Sequence, residues 1–288
     1  MNRYTRNIRE RIHILINNRF LSIRERLQII SHIRLTMDQM RVPLLRRLIK
    51  DDTRGDHFQI GEFTIFVDPG YEVHDADFFL EGIIQVIAET WVKPLFFHKE
   101  VKLQDGNICL DLGASIGTTS MLFSGIVGQK GRVYAFEPVT HRLLLRNIRE
   151  NNIMNVQVIP RGVSHCVGKA EIEVGDFCLD SSIAKRDYTK DYYSHCQEIQ
   201  VTSLDACIKE LSIPKVDFVK MDIEGAEEWA ILGAERLITE HAPKWSISSY
   251  HVDFTNEPQH SKLVSLLKGF GYKVREIPMM HIYAWKPS

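Results

Sequence analysis

The sequence predicts an α/β fold: a mostly parallel sheet with helices on both faces, preceded by a helical N-terminal extension. Three observations predict it. From Asn107 onward, short apolar runs alternate with amphipathic stretches, the pattern of strand–helix–strand units. The run Ile108–Leu112 ends in a glycine turn, Gly113-Ala114-Ser115-Ile116-Gly117, and continues with helical spacing at Met121, Leu122, Phe123, Ile126 and Val127. The chain has 288 residues, 44% hydrophobic and 9% aromatic, which suits one large domain with an extension.

The extension comes first. Ile8, Ile12, Leu15, Ile16, Phe20, Ile23, Leu27 and Ile30 fall at helical spacing with arginines between them. Residues 1–50 carry twelve Lys/Arg against three acids, a net of +9, so the rest carries −10 of the total of −1. Basic amphipathic helices can lie on lipid or nucleic acid. Solvated arginine faces are common, so the stripe is expected to pack on the domain or on a second subunit, and nucleic acid is not favoured. Peripheral membrane contact through residues 1–50 and homo-oligomerisation are left open. Residues 51–75 read as a polar linker and a small hairpin, with a strand at Phe63–Val67 and a turn at Asp68-Pro69-Gly70. Phe79, Ile83, Val86, Ile87 and Trp91 mark a helix ending near Pro94. Residues 1–100 are taken as leader, hairpin and covering helix, and 101–288 as the sheet domain.

Within the domain, strands are expected at 108–112, 132–136, 156–159, 216–221, 244–249, 272–277 and 281–285. Helices are expected at 117–127, 139–152, 204–211, 225–238 and 261–270. The short connection Pro278-Met279-Met280 makes the last two strands antiparallel. Lys169–Val174 and Glu198–Thr202 read as short strands around a long polar loop at 176–197, where Tyr188, Tyr192, Tyr193 and His195 could meet a substrate. The five cysteines show no C-x-x-C pairing, no apolar run reaches 18 residues, and no secretory leader is evident. A cytoplasmic protein with free thiols is expected.

The glycine turn narrows the ligand. A dinucleotide turn needs glycine where Ser115 stands, and a P-loop needs G-K-[ST]. Gly113-x-Ser115-x-Gly117 also fits a nucleophile elbow, which would make Ser115 a hydrolase nucleophile, but that gives no role to Asp111. The next strand, Gly131–Phe136, ends in Glu137-Pro138, 26 residues beyond Asp111. An acid there is placed to accept hydrogen bonds from two ribose hydroxyls. A nucleoside without a pyrophosphate is implied, and S-adenosylmethionine fits.

Asp111–Gly117, Ala135-Phe136-Glu137-Pro138 and Lys220-Met221-Asp222-Ile223-Glu224-Gly225-Ala226-Glu227 together resemble the successive signatures of FkbM-type methyltransferases. The resemblance covers about Gly106 to His251. It departs at Ser115, where the family usually has Asn, and at Ser248-Ser249-Tyr250-His251, where many members have Glu before the histidine. The resemblance implies a seven-stranded Rossmann-like methyltransferase sheet of order 3-2-1-4-5-7-6 with the last strand antiparallel. It also implies transfer of a methyl group from S-adenosylmethionine to a hydroxyl of a small molecule, sugar or glycan. Cofactor contacts are expected from Asp111, Gly113, Ser115, Gly117, Glu137, Pro138, Gly162, Val163 and Asp222, with Gly162 and Val163 at the adenine edge.

A hydroxyl acceptor must lose its proton. Asp222, Glu224 and His251 lie at the ends of the fourth and fifth strands and are the candidate catalytic residues, with His251 as general base. Glu227 reads as an ordinary first-turn helix acid. The same acids and histidine could instead hold a divalent metal, but the metal-free reading is preferred. A non-catalytic binding module with a basic arm for RNA, membrane or a protein partner is the alternative.

Overall fold

The computed structural model describes residues 48–49, 56–60, 62–67, 90, 95–175, 193–253, 255, 257–278 and 280–287. Most of the basic leader, the turn at 68–70, most of the covering helix and the loop at 176–192 with Tyr188 and Tyr192 lie outside these residues.

The domain is built on a seven-stranded sheet. Its strands are β4 (Ile108–Leu112), β5 (Arg132–Phe136), β6 (Val156–Ile159), β10 (Phe218–Met221), β11 (Lys244–Ser248), β12 (Lys273–Ile277) and β13 (His281–Trp285). The order is β12-β13-β11-β10-β4-β5-β6, the expected one. β13 runs antiparallel to both neighbours, and the other pairs are parallel. Central strands such as β4 and β10 are buried on both faces, which is why they read as unbroken apolar runs. The core beneath them centres on Trp245, Leu110, Met221 and Ile247.

Two ionisable groups interrupt that apolar interior. Asp111 on β4 and Lys220 on β10 are register partners, both buried, with Lys220 Nζ 3.1 Å from Asp111 Oδ1. Ser120 donates to Asp111 Oδ2 at 2.6 Å, and Lys220 also donates to the carbonyls of Leu112 and Gly113. A buried pair is stable only when its remaining valences are met in this way. The pair therefore anchors the carboxyl end of β4 where the glycine turn begins.

Helices α1 (Thr118–Val127), α2 (His141–Glu150), α3 (Leu204–Glu210), α4 (Glu227–Leu232) and α5 (His260–Gly269) connect the strands. The expected helix over 225–238 is two pieces. Glu224 and Gly225 have φ of 55° and 108°, so α4 cannot start before Glu227. It stops at Gly233, where a side chain would strike the Ser164 carbonyl. Asp205 then caps a second segment by accepting from the Arg236 and Leu237 amides, and Leu237–His241 forms a π turn.

The segment after β6 adds a second sheet, β7 (Gly162–Val163), β8 (Gly168–Gly175) and β9 (Tyr193–Thr202), in the order β7-β9-β8. The expected polar loop is shorter than its sequence suggests. Tyr193 to Gln197, including His195, extend β9 because Ile172–Gly175 on β8 offer matching backbone partners.

The N-terminal hairpin also differs from expectation. Phe63–Phe66 (β3) pairs with His57–Ile60 (β2) before it, within the stretch read as a linker, and β2 pairs with Leu48–Ile49 (β1). The outer edge of β3 docks on α2. Asn147 and Asn151, one helical turn apart, each supply an amide that pairs with both backbone groups of Phe66 and Thr64 respectively. None of the helices among the described residues is long and apolar enough to cross a membrane.

Candidate active site

From β4 the chain builds outward through β5 to β6 on one side, then crosses to β10 and β11 on the other. The crevice at that switch point lies above the carboxyl ends of β4 and β10, where open α/β sheets bind ligands. Gly113 forms its floor. It has φ +75°, and a Cβ there would lie 1.8 Å from the Asp222 carbonyl oxygen. Only glycine lets the β4 turn pack this closely against the segment after β10. Gly117, with φ +95°, turns the chain into α1 and packs against Leu144.

Glu137 organises the same turn. Its Oε2 accepts from the Ser115 amide at 3.0 Å, and its Oε1 from the Val139 and Thr140 amides at 2.7 and 3.0 Å. Burial pushes the carboxyl up from its ordinary value, and these three N–H groups oppose the rise. A carboxylate has about four lone-pair sites, so one acceptor position is left where two ribose contacts were expected.

A cleft of about 610 Å³, counting the part open to solvent, is lined by Gly113, Ser115, Glu137, Pro138, Gly162, Val163, Asp222 and Glu224. Ile172 and Ile199 from the second sheet add apolar side chains to the lining, Ile199 beside Gly162. Asp111 and Gly117 do not line it: Asp111 lies beneath, paired with Lys220, and Gly117 shapes the turn. The Arg161 guanidinium at the rim is held by Glu210 in a two-pronged contact at 2.6 and 2.8 Å.

At the other end of the cleft the loop after β10 brings three acids to one histidine. Glu227 is fully buried and accepts four hydrogen bonds, from the Ile223 and Gly225 amides, Gln259 Nε2 and His251 Nδ1. It is therefore a pivot holding both the loop and the ring, not the ordinary helix-end acid its position suggests. His251, 4% exposed, turns its Nε2 toward Glu224 Oε1 at 3.1 Å and Asp222 Oδ1 at 3.5 Å. Neither approach has hydrogen-bond geometry, and Nε2 and Asp222 Oδ1 are both buried without a hydrogen-bond partner.

Burial by itself would lower the His251 pKa, but Glu224 and Glu227 outweigh it and hold the imidazole well above its ordinary value. The surrounding carboxylates therefore favour the protonated ring, against the neutral base expected from sequence. Asp222 is pushed up by burial first, against the opposing pull of Lys220 and His251.

Sequence reasoning missed Lys220, Gln259, Ile172 and Ile199. Lys220 left one signal, a charged residue inside an otherwise apolar strand. The other three left none, because Ile172 and Ile199 reach the cleft, and Gln259 reaches Glu227, from elements far apart in the chain. Ser115 Oγ is buried with no hydrogen-bond partner, so no base activates it as a hydrolase nucleophile.

No curated protein sequence matches the chain. Among solved structures, it is similar to an FkbM methyltransferase from Methylobacillus flagellatus KT, at 19% identity and TM-score 0.46. That match covers 90% of this chain and 60% of the other, so the chain spans about 60% of that protein's length. It is also similar to a precorrin-6y C5,15-methyltransferase from Geobacter metallireducens GS-15 (17% identity, 70% and 89% coverage, TM-score 0.41). A third is Aeropyrum pernix fibrillarin, solved with natively bound S-adenosyl-L-methionine (15% identity, 83% and 96% coverage, TM-score 0.43). Residues 111–274, more than half of the chain, match the model of the methyltransferase FkbM domain. The turn, the Glu137 strand end and the Asp222–Glu227 loop all fall within that match, and the chain belongs to the FkbM family of S-adenosylmethionine-dependent methyltransferases.

Proposed function

We propose that the protein methylates a hydroxyl group of a small molecule, sugar or glycan, using S-adenosylmethionine. The cleft suits this cofactor on its own evidence. Two residues that line it, Ser115 and Asp222, each carry a buried polar atom with no partner, and such atoms are costly unless a ligand meets them. The turn at Gly113 and Ser115, with Asp222, would hold the amino-acid end. The remaining acceptor position of Glu137 would take a ribose hydroxyl, and Pro138, Gly162, Val163, Ile172 and Ile199 would enclose the adenine. Bound there, S-adenosylmethionine supplies an electrophilic methyl group on a sulfonium.

The observation that carries the choice of oxygen is the unpartnered Asp222 Oδ1 beside the His251 ring at the cleft edge. An alcohol is a poor nucleophile until its proton is removed, whereas a neutral amine attacks without a base. Asp222, its carboxyl raised by burial, accepts a proton more readily than an exposed carboxylate does. Glu224 and His251 beside it set the charge of that corner, and Glu227 keeps the ring in place.

The test is to supply cofactor with an isotopically labelled methyl group and a panel of sugars, glycans and small alcohols, then locate the label in the product by mass spectrometry and NMR. Label on oxygen is expected. Label on nitrogen or carbon, or a protein that does not bind S-adenosylmethionine by calorimetry, would overturn the reading.

A further inference from the structure

We propose that Asp222, Glu224 and His251 form a binding site for a divalent cation, which in turn binds the oxygen of the methyl acceptor. The cation's purpose rests on the hydroxyl-methylation reading above; its binding does not.

The geometry is the first support. One ligand atom from each of the three residues lies within 4.8 Å of the other two. His251 Nε2 is 3.1 Å from Glu224 Oε1 and 3.5 Å from Asp222 Oδ1. Ligands about 2.0–2.2 Å from a metal ion stand about 3.0 Å apart at a right angle and about 3.4 Å apart at the tetrahedral angle. The three atoms can therefore share one centre with small side-chain adjustment.

The second support is unmet valence. Nε2 of His251 and Oδ1 of Asp222 are buried and lack hydrogen-bond partners, although they face each other across this short gap. An ion pair accounts for their proximity but not for their poor alignment. A cation between them would satisfy both. Charge favours it as well: Asp222, Glu224 and Glu227 surround a single imidazole, and the nearby Lys220 ammonium is committed to Asp111 and two carbonyls.

The third support is the group behind the ring. His251 Nδ1 donates to Glu227 at 2.8 Å, and Glu227 is itself fixed by the Ile223 and Gly225 amides and by Gln259. A carboxylate in this position fixes the tautomer of a metal-binding histidine and leaves Nε2 free to ligate. Two oxygens and one imidazole nitrogen suit a divalent ion such as Mn²⁺ or Zn²⁺. Three protein ligands leave positions for an acceptor oxygen, whose proton would pass to the other carboxylate oxygen of Asp222 and on to solvent as the cation stabilises the oxyanion.

The probe is Mn²⁺ alone, added to the full chain after treatment with a chelator. Electron paramagnetic resonance should show one bound Mn²⁺ per chain, with coupling to a single imidazole nitrogen. That coupling is read in the unaltered protein, so the outcome does not depend on a variant folding. His251→Ala should lose the nitrogen coupling, and Glu224→Gln should bind Mn²⁺ at least tenfold more weakly, each unfolding cooperatively on heating. Absence of stoichiometric binding at millimolar Mn²⁺, binding without nitrogen coupling, or coupling that survives His251→Ala would each overturn the site. If Mn²⁺ binds as described but no hydroxyl is methylated, the site stands and the acceptor reading falls. If metal-free protein methylates a hydroxyl at full rate, the acceptor reading stands and the cation proposal falls.

Discussion

His251 shows how much of a residue's chemistry its neighbours decide. A histidine in isolation titrates near 6.5, and its place after β11 suggests a neutral base. Glu224 and Glu227 favour the protonated ring against the effect of its burial. Removing the ring by His251→Ala leaves the acids crowded and the proton-accepting corner without its positive charge. The expected result is a fall in turnover of roughly 10–100-fold, the range of a lost close charge partner, with S-adenosylmethionine affinity nearly unchanged because His251 does not line the cleft. Parallel measurement of kcat and of cofactor binding by calorimetry checks it. Glu137 makes the opposite case. Its carboxylate serves the turn as well as the ligand, so Glu137→Ala strands the amides of Ser115, Val139 and Thr140. Each buried unpaired group costs about 1–3 kcal/mol. Cofactor affinity should drop more than tenfold, and the melting temperature should drop with it, which a cofactor contact alone would not cause.

Among elements, the site depends on two turns that touch. The β4 turn and the segment after β10 meet at Gly113, whose missing Cβ admits the Asp222 carbonyl. Gly113→Ala would add about 1–2 kcal/mol of left-handed backbone strain and, through the clash, push the two turns apart. Both cofactor binding and hydroxyl methylation should be lost while the sheet persists, seen as a lowered but still cooperative thermal transition. Retained cofactor affinity in Gly113→Ala would show that this close approach is dispensable. The same logic explains the short α4. An apolar period suggested one helix over 225–238, but periodicity does not register that Gly225 must take φ 108° or that Gly233 must pass the Ser164 carbonyl.

For the whole molecule, acid stability is tied to a residue far from the chemistry in sequence. His281 on β13 is buried, with Nε2 2.8 Å from Ser246 Oγ. Burial first, then the charges of Lys220 and His260, push its pKa down to about 3. In the unfolded chain it takes up a proton near pH 6.5. Its contribution to stability is thus complete above about pH 6.5 and is lost as pH falls toward about 3, amounting to on the order of 5 kcal/mol. Denaturant midpoints should decline across that window in the native protein. In His281→Gln the decline should be shallower; an equally steep one would place the acid sensitivity elsewhere.

The sequence by itself determined the strand–helix alternation, the seven main strands and their reversed member, the glycine turn and the acid at the end of β5. These are local matters: a doubly buried strand must be apolar throughout, and a sharp turn needs glycine wherever it occurs. It also named Asp222, Glu224 and His251, because their motif is contiguous or follows a strand end. Only the tertiary structure decided what those residues face. Glu227 looks like any helix-end acid until Gln259, 32 residues later, and His251 close around it. Lys220 looks misplaced until β10 lies beside β4 and Asp111 becomes its register partner. Ile172 and Ile199 reach the cleft only because a second sheet folds over it. Charge and hydrogen bonding act through space over a few ångströms, so the properties of these groups were set by neighbours that chain order does not reveal.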